Sequence, residues 1–584
     1  MKKLYLLVLF VQAALLLHAQ VSVGTQTDLE KVFAPGDYDF AAELAEDGGD
    51  LWYADGWGNS VLTADFNGDG NKDVFVMGRV SFGEVENATP QNILYLGNGE
   101  GQFTPYQLPT DGAYYLGYAH YIKVAKDRTI IGATGCITDA DWWSPMFGLG
   151  KKYMFKSSLH ELSFDAEGKP VWTLVANLDD GSCGAGASVN LYDFNGDGNY
   201  DVLISGVIGL PDTEAQIISD YGASTQVLYL GDGNGGFTRK THVETGLWPV
   251  QDGGAVVADF NGDGILDVAS VMSKSGYCWN DAGNVDKKAH GSGVYVSIGK
   301  GDGTFDSKCL VKSERAGNHM FVSEGARVQV IDINEDGYPD IWYGLNDQVS
   351  SDPWRYRGGF LLNDGSGNFA PHNKTLTGAD FTPLGVERAT PLVGDFNQDG
   401  HADMWYNSWL PTDNLDDPSA GNNLCALVGV LITGNGEGGF KTQVFKGENG
   451  NGSQALTGYY KRFTSLKSST YAGADFNGDG VMDIVAISGD AHNSNFKGIT
   501  YMKGVAAHSA AAMPLPEDNA LKSATGIENV NGNDNGNRNG NANSAVYDLQ
   551  GRKVSDKLSS LIPHPSSKKG IYIVGGRKVV KALR

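Results

Sequence analysis

Short apolar runs alternate with polar, glycine-rich tracts along most of the chain, and the order of the runs repeats. A run such as "GAVVA" precedes an acidic tract, and one such as "DVFVMG" or "DIWYG" follows it. After a variable insertion comes a third run ending in a glycine-rich turn and a phenylalanine. Examples are "NILYLGNGEGQF", "TQVLYLGDGNGGF", "GVYVSIGKGDGTF" and "GGFLLNDGSGNF". Runs this short, bounded by Gly, Asn and Asp, predict strands joined by tight turns. Each unit therefore predicts four strands, the last led by Phe103, Phe237, Phe305, Phe369 or Phe440.

The acidic tract sets the period. "DFNGDGNKD" (Asp65 to Asp73) returns at Asp193, Asp259, Asp332, Asp395 and Asp475, with starts 128, 66, 73, 63 and 80 residues apart. The first interval is close to twice the second, which predicts one unit lacking the motif. "YIKVAKDRTIIGATG" (Tyr121 to Gly135) fits that place, with two strand-like runs flanking Lys126, Asp127 and Arg128. Seven four-stranded units repeated radially predict an all-β fold, a seven-bladed β-propeller over residues 20–510. The last unit lacks a clear fourth strand, and "TDLEKVFAPG" (Thr27 to Gly36), centred on Val32 and Phe33, is the candidate to close the ring.

Oxygen-bearing side chains crowd the acidic tract. In the first copy Asp65, Asn67, Asp69 and Asp73 occupy positions 1, 3, 5 and 9, and Asn71 at position 7 offers a backbone carbonyl. The other copies supply Asp193, Asn195, Asp197, Asn199 and Asp201; Asp259, Asn261, Asp263, Ile265 and Asp267; and Asp332, Asn334, Asp336, Tyr338 and Asp340. The last two supply Asp395, Asn397, Asp399, His401 and Asp403; and Asp475, Asn477, Asp479, Val481 and Asp483. Hard oxygens without Cys or His at the shared ligand positions suit Ca²⁺ better than Mg²⁺, so about six structural Ca²⁺ sites are expected. The competing reading is a polar β-turn, which the same residue types favour. Turn chemistry, however, gives no obvious use to the carboxylate at position 9.

Composition and charge narrow the partners. A formal charge of −25 opposes nucleic acid as a partner, because a phosphate backbone needs a cationic footprint. Glycine is 80 of 584 residues without a three-residue period, which excludes collagen. The five cysteines (Cys136, Cys183, Cys278, Cys309, Cys425) are too few for a disulfide scaffold. Lys2 and Lys3 precede an apolar run, Leu4 to Leu17, and Ala19 suits cleavage, so residues 1–19 read as an export signal. No later stretch is apolar enough for a transmembrane segment, and a secreted or cell-surface location is expected.

These repeats closely resemble the FG-GAP/VCBS family, whose blades also occur in integrin α-subunit propellers; the likeness spans about residues 55–505. It implies a calcium-stabilised propeller, and relatives that include adhesins, glycan-binding modules and polysaccharide lyases. Beyond an Asn/Gly-rich stretch, read with its flanks as a flexible linker over 511–544, residues 545–584 form a small C-terminal β domain. This module resembles the sorting domain of the type IX secretion system of Bacteroidetes through Tyr547, Gly551, Arg552, Val554, Gly570, Tyr572, Gly575 and Lys578, implying that machinery as a partner.

A ligand is expected on the variable insertions, at the strand ends opposite the acidic tracts. They carry Trp142, Trp143, Tyr221, Tyr277, Trp279, Trp354, Tyr356 and Trp409, with Asp139, Asp141, Arg355, Arg357 and Asp413 nearby. Aromatic rings beside polar groups suit carbohydrate, giving a carbohydrate-binding module as the main expectation. A protein-binding adhesin and a polysaccharide-degrading, lyase-like enzyme remain alternatives. His290, Arg355 and Asp413 could serve catalysis, yet no pair has diagnostic spacing, and "GSCGAG" (Gly181 to Gly186) is not a nucleophile elbow.

Overall fold

The computed structural model describes residues 60–82, 88–109, 119–136, 156–178, 188–205, 226–240, 255–273, 293–312, 327–346, 356–372, 391–411, 425–445, 471–488, 498–505, 513 and 515–521. It also places Val32 and short strands at Ser22–Val23, Tyr38–Ala41, Leu51–Trp52, Trp248–Pro249 and Gly385–Val386, and four strands within 546–581. The chain divides into two units, the first comprising residues 1–335 and 339–521, the second residues 336–338 and 522–584.

The first unit is a seven-bladed β-propeller of antiparallel sheets. Blade 1 runs through Ser60–Ala64, Asp73–Phe82, Ala88–Gly97 and Phe103–Leu108. Blade 2, the unit without the motif, is built from His120–Ala125, Arg128–Cys136, Lys156–Phe164 and Pro170–Leu178. Blades 3 to 6 start at Ser188, Ala255, Arg327 and Leu392 and repeat the same order.

Blade 7 takes three strands from Tyr471–Met502 and a fourth from the N-terminal region. That fourth strand is Tyr38–Ala41, paired antiparallel with Gly498–Met502, rather than the expected segment around Val32 and Phe33. Val32 is nonetheless buried, and its carbonyl accepts from Val505 N at 2.9 Å, so it anchors the chain just before the closing strand. Phe33 lies outside the described residues. Ser22–Val23 adds a short parallel strand to the outer edge of blade 6.

The core sits between blades. Six apolar clusters each straddle two neighbours, and one joins Val74, Val76 and Tyr95 of blade 1 to Phe476, Val485 and Tyr501 of blade 7. The strands read as near-continuous apolar runs because both faces of each blade are covered. Gly293–Gly299 is buried along almost its whole length.

The second unit contains a four-stranded antiparallel sheet with Val546–Asp548 between Lys553–Ser555 and Gly570–Val574, the latter pairing with Arg577–Lys581. Among the described residues no helix is long and apolar enough to cross a membrane.

Candidate functional site

The nine-residue loops join first and second strands, and position 9 opens the second strand in all six copies. Register places this Asp opposite the last residue of the first strand, as with Ala64 and Asp73. Its side chain turns into the blade. Asp73, Asp201, Asp267, Asp340, Asp403 and Asp483 are all fully buried. In blade 1, Asp73 Oδ2 accepts from Phe66 N at 2.8 Å and Oδ1 from Gly97 N at 2.9 Å. One carboxylate thereby fastens the loop's second residue to the end of the third strand.

Blades 3, 4, 6 and 7 repeat the pair of bonds through Phe194 and Gly231, Phe260 and Gly299, Phe396 and Gly434, and Phe476 and Gly504. Blade 5 uses Ile333 and Asn363. The third strand needs glycine at this point in blade 1. A Cβ on Gly97 would stand 2.2 Å from the Lys72 carbonyl oxygen, too close for any side chain. Blade 5 tolerates Asn363 there, and its amide donates to Phe260 O at 2.7 Å and Pro339 O at 3.1 Å.

Burial raises five of these carboxyls, and the backbone N–H bonds only partly offset it. Asp73, Asp201 and Asp483 are pushed up to about 7 and Asp267 to about 6, while Asp403 lies well above the usual carboxylate range.

Most of the remaining loop oxygens accept from donors of the turn itself, while Asp65 Oδ1 is buried without a hydrogen-bond partner. Asp65 Oδ2 accepts from Gly70 N at 3.0 Å, and Asp69 Oδ1 from Asn71 N at 2.7 Å. Asn67 Oδ1 accepts from Asp69 N at 2.9 Å, while its amide nitrogen donates to Asp69 Oδ2 at 2.9 Å. The same Asx-turn bonds recur around Asp197, Asp263, Asp399 and Asp479.

Among the described residues no group of three or more His, Cys, Asp or Glu side chains could hold a metal ion, which overturns the expectation of six structural Ca²⁺ sites. The physical reason is the direction of the oxygens. Position 9 belongs to the strand, where its buried oxygens accept main-chain N–H groups, and the oxygens of positions 1, 3 and 5 are engaged by donors of the turn. The position-9 carboxylate has a use after all, as a buried staple.

A second feature of this end of the propeller lies where a linker is expected. Met513 and residues 515–521 pack on the loop side as a strap, because backbone and side chains along it find partners on four blades. Met513 N donates to Asp395 Oδ2 in blade 6 at 3.2 Å. Asp518 accepts from Asp65 N at 3.0 Å and pairs with Lys72 Nζ at 2.6 Å in blade 1. Ala520 bridges Lys123 in parallel, with Lys123 N to Asn519 O and Leu521 N to Lys123 O both at 2.8 Å. Lys123 Nζ also donates to Asp65 O. Asn519 Nδ2 donates to Tyr121 O at 2.7 Å and Leu191 O at 3.1 Å, tying blade 2 to blade 3. The signal in the sequence is the pair Pro514 and Pro516, which favours extended chain ahead of the Asn/Gly-rich stretch.

At the opposite strand ends, second and third strands are joined by the variable insertions. Trp142, Trp143, Tyr221, Tyr277, Trp279 and Trp354 lie outside the described residues, as do Asp139, Asp141, His290, Arg355 and Asp413. Tyr356 and Trp409 are placed by their backbones. Tyr356 opens the third strand of blade 5 opposite Asn346, and Trp409 pairs with Leu427 near the end of the second strand of blade 6. Both positions are at the insertion end.

Residues 212–270, from the insertion of blade 3 to the second strand of blade 4, match the model of an FG-GAP-like repeat. No curated protein matches the chain in sequence. Among solved structures, the chain is similar to Bacillus subtilis levansucrase at 10% identity, over 73% of this chain and 95% of that one, with a TM-score of 0.29. It is similar to a sucrose-6-phosphate hydrolase from Lactobacillus gasseri at 11% identity, over 79% and 93%, with a TM-score of 0.32. The endosialidase of phage phi92 matches at 8% identity over 91% and 87%, with a TM-score of 0.31. Scores this low carry no argument about activity.

Proposed function

We propose that the protein is a carbohydrate-binding propeller whose ligand surface is made by the insertions between second and third strands. One observation carries this reading. The acidic-loop end is engaged in structural contacts, the six buried carboxylates within single blades and the strap between blades, whereas the second and third strands of each blade are joined at the other end. Binding residues often sit on variable loops held by a rigid frame. The tryptophans and tyrosines of those insertions supply flat apolar faces for sugar rings, and the neighbouring Asp and Arg side chains supply hydrogen bonds.

A glycan array tests the reading. Wild-type protein should bind at least one polysaccharide class, and the triple variant Trp142→Ala, Trp279→Ala, Trp354→Ala should bind it more weakly with an unchanged melt. An array without hits, or equal binding by the folded triple variant, would remove the proposal. Reading the same polysaccharides for cleavage tests the alternative of a degrading enzyme.

The location is a proposal on sequence likeness: export through residues 1–19, followed by surface delivery through the sorting-like module at 545–584. Deleting 545–584 in a bacterium with type IX secretion should leave the protein in the periplasm. An unchanged distribution would refute that role.

A further inference from the structure

At blade 2 the acidic loop is missing, and a cleft lies beside it. At three interfaces the phenylalanine at loop position 2 meets the phenylalanine that opens the next blade's fourth strand. Phe476 lies 5.5 Å from Phe103, Phe194 lies 6.2 Å from Phe305, and Phe260 lies 5.6 Å from Phe369. In blade 2 the two-residue turn Lys126–Asp127 replaces the loop, so this aromatic partner is absent. Phe237 of blade 3 packs instead on Tyr200 of its own blade, at 5.9 Å. Opposite them a cleft of about 410 Å³ opens between blades 2 and 3.

The lining of the cleft is chemically mixed and close to neutral. Val124, Val175 and Leu521 form an apolar wall, the last of them contributed by the strap. The rim carries Arg128, which opens the second strand where the other blades have the stapling aspartate, and Glu161 on the third strand. Arg128 Nη2 and Glu161 Oε2 are 2.6 Å apart, and the Arg128 side chain is 52% exposed. This pair is pre-oriented, with guanidinium N–H groups and carboxylate lone pairs left over for a ligand. Asn199, Tyr200 and Asn234 also line the site.

We propose that this cleft binds a neutral saccharide of one or two rings, at a site separate from the insertion surface. A charged ligand would have to compete with one partner of the ion pair. A sugar needs no such exchange, because each hydroxyl both donates and accepts while the C–H face of the ring lies on apolar wall. The volume falls toward the lower end of the roughly 300–1,000 Å³ of small-molecule sites, which suits a mono- or disaccharide. Leu521 makes the site complete only when residues 515–521 are seated.

Saturation-transfer NMR on the full chain tests this, with cellobiose, maltose, lactose and N,N′-diacetylchitobiose as probes. Transfer to at least one probe is expected. It should be abolished by Val175→Trp, which fills the cleft, and weakened about tenfold by Arg128→Ala, as for loss of a hydrogen bond to a charged group. It should persist in the Trp142, Trp279 and Trp354 triple variant, which separates this site from the insertion surface. No transfer to any of the four probes overturns the proposal. So does transfer undiminished in Arg128→Ala, an exposed position that serves even where Val175→Trp fails to fold. Loss confined to the triple variant would place the sugar on the insertions instead and overturn it equally.

Discussion

Blade 1 and blade 2 are neighbours with the same four-strand plan and opposite solutions at one corner. Blade 1 joins its first two strands through an eight-residue loop closed by Asp73, which ties Phe66 and Gly97 together inside the sheet. Blade 2 makes the same connection with Lys126 and Asp127 alone and begins its second strand with Arg128. Its third strand ends on Phe164, where blade 1 must have glycine. Both keep the Asx turn between third and fourth strands, with Asn98 N bonded to Gln102 O and Asp165 N to Lys169 O. The motif is thus dispensable for making a blade. What it adds is a tie from loop to third strand and an aromatic plug toward the next blade. Where it is missing, the strap pairs with the first strand of blade 2 and joins it to blade 3, and the plug's place is a cleft.

Breaking the staple's geometry should have the largest effect on this contrast. Gly97→Val drives a side chain into the rigid Lys72 carbonyl and should destabilise the protein by about 3–5 kcal/mol in denaturant titrations. Phe164, the matching residue of blade 2, already carries a large side chain, so Phe164→Val should cost clearly less. Equal losses would mean that the two corners are built alike.

The strap comes next. Asn519→Ala removes a side chain bonded to Tyr121 O and Leu191 O and should cost about 1–3 kcal/mol. A change within measurement error would show that the strap does not hold blades 2 and 3 together.

The pH dependence of stability draws the same contrast. Each stapling carboxyl that burial raises has a folded pKa above its unfolded value, so the folded state binds more protons between about pH 4 and pH 7. Its contribution is full below about pH 4, declines as pH rises through about 7, and is flat beyond. The slope is at most about 1.4 kcal/mol per pH unit for each group that titrates. Denaturation midpoints should therefore be higher at pH 5 than at pH 8, and Asp73→Asn should flatten the slope. Arg128 gives blade 2 no share in it.

Much of this architecture is legible in the sequence. The six copies and the double interval from Asp65 to Asp193 fix seven blades, because spacing along the chain is the same quantity as repetition around the propeller. The closing strand is harder to place, since "YDFA" carries an aspartate in a four-residue run and looks less apolar than the stretch around Val32. The purpose of the carboxylates is not legible at all from residue types. Oxygens converging on a cation and oxygens receiving N–H groups have the same composition, and only the inward turn of Asp73 from its strand separates them. The strap escapes notice because its hold on the blades comes from main-chain bonds and from Asp518 and Asn519, which in a string resemble any linker. The cleft exists only as the space left by a missing phenylalanine, so nothing in the string marks it.

The central claim is that position 9 acts alone, as a buried staple, and not as one of several equivalent ligands. Thermal and chemical denaturation of Asp73→Ala and Asp69→Ala, measured side by side, tests it most directly. Asp73→Ala leaves the buried N–H groups of Phe66 and Gly97 without an acceptor and should cost about 3–5 kcal/mol. Asp69→Ala removes exposed turn bonds and should cost no more than about 1 kcal/mol. Losses of equal size in the two variants would contradict the account, because they would make both carboxylates members of one shared site.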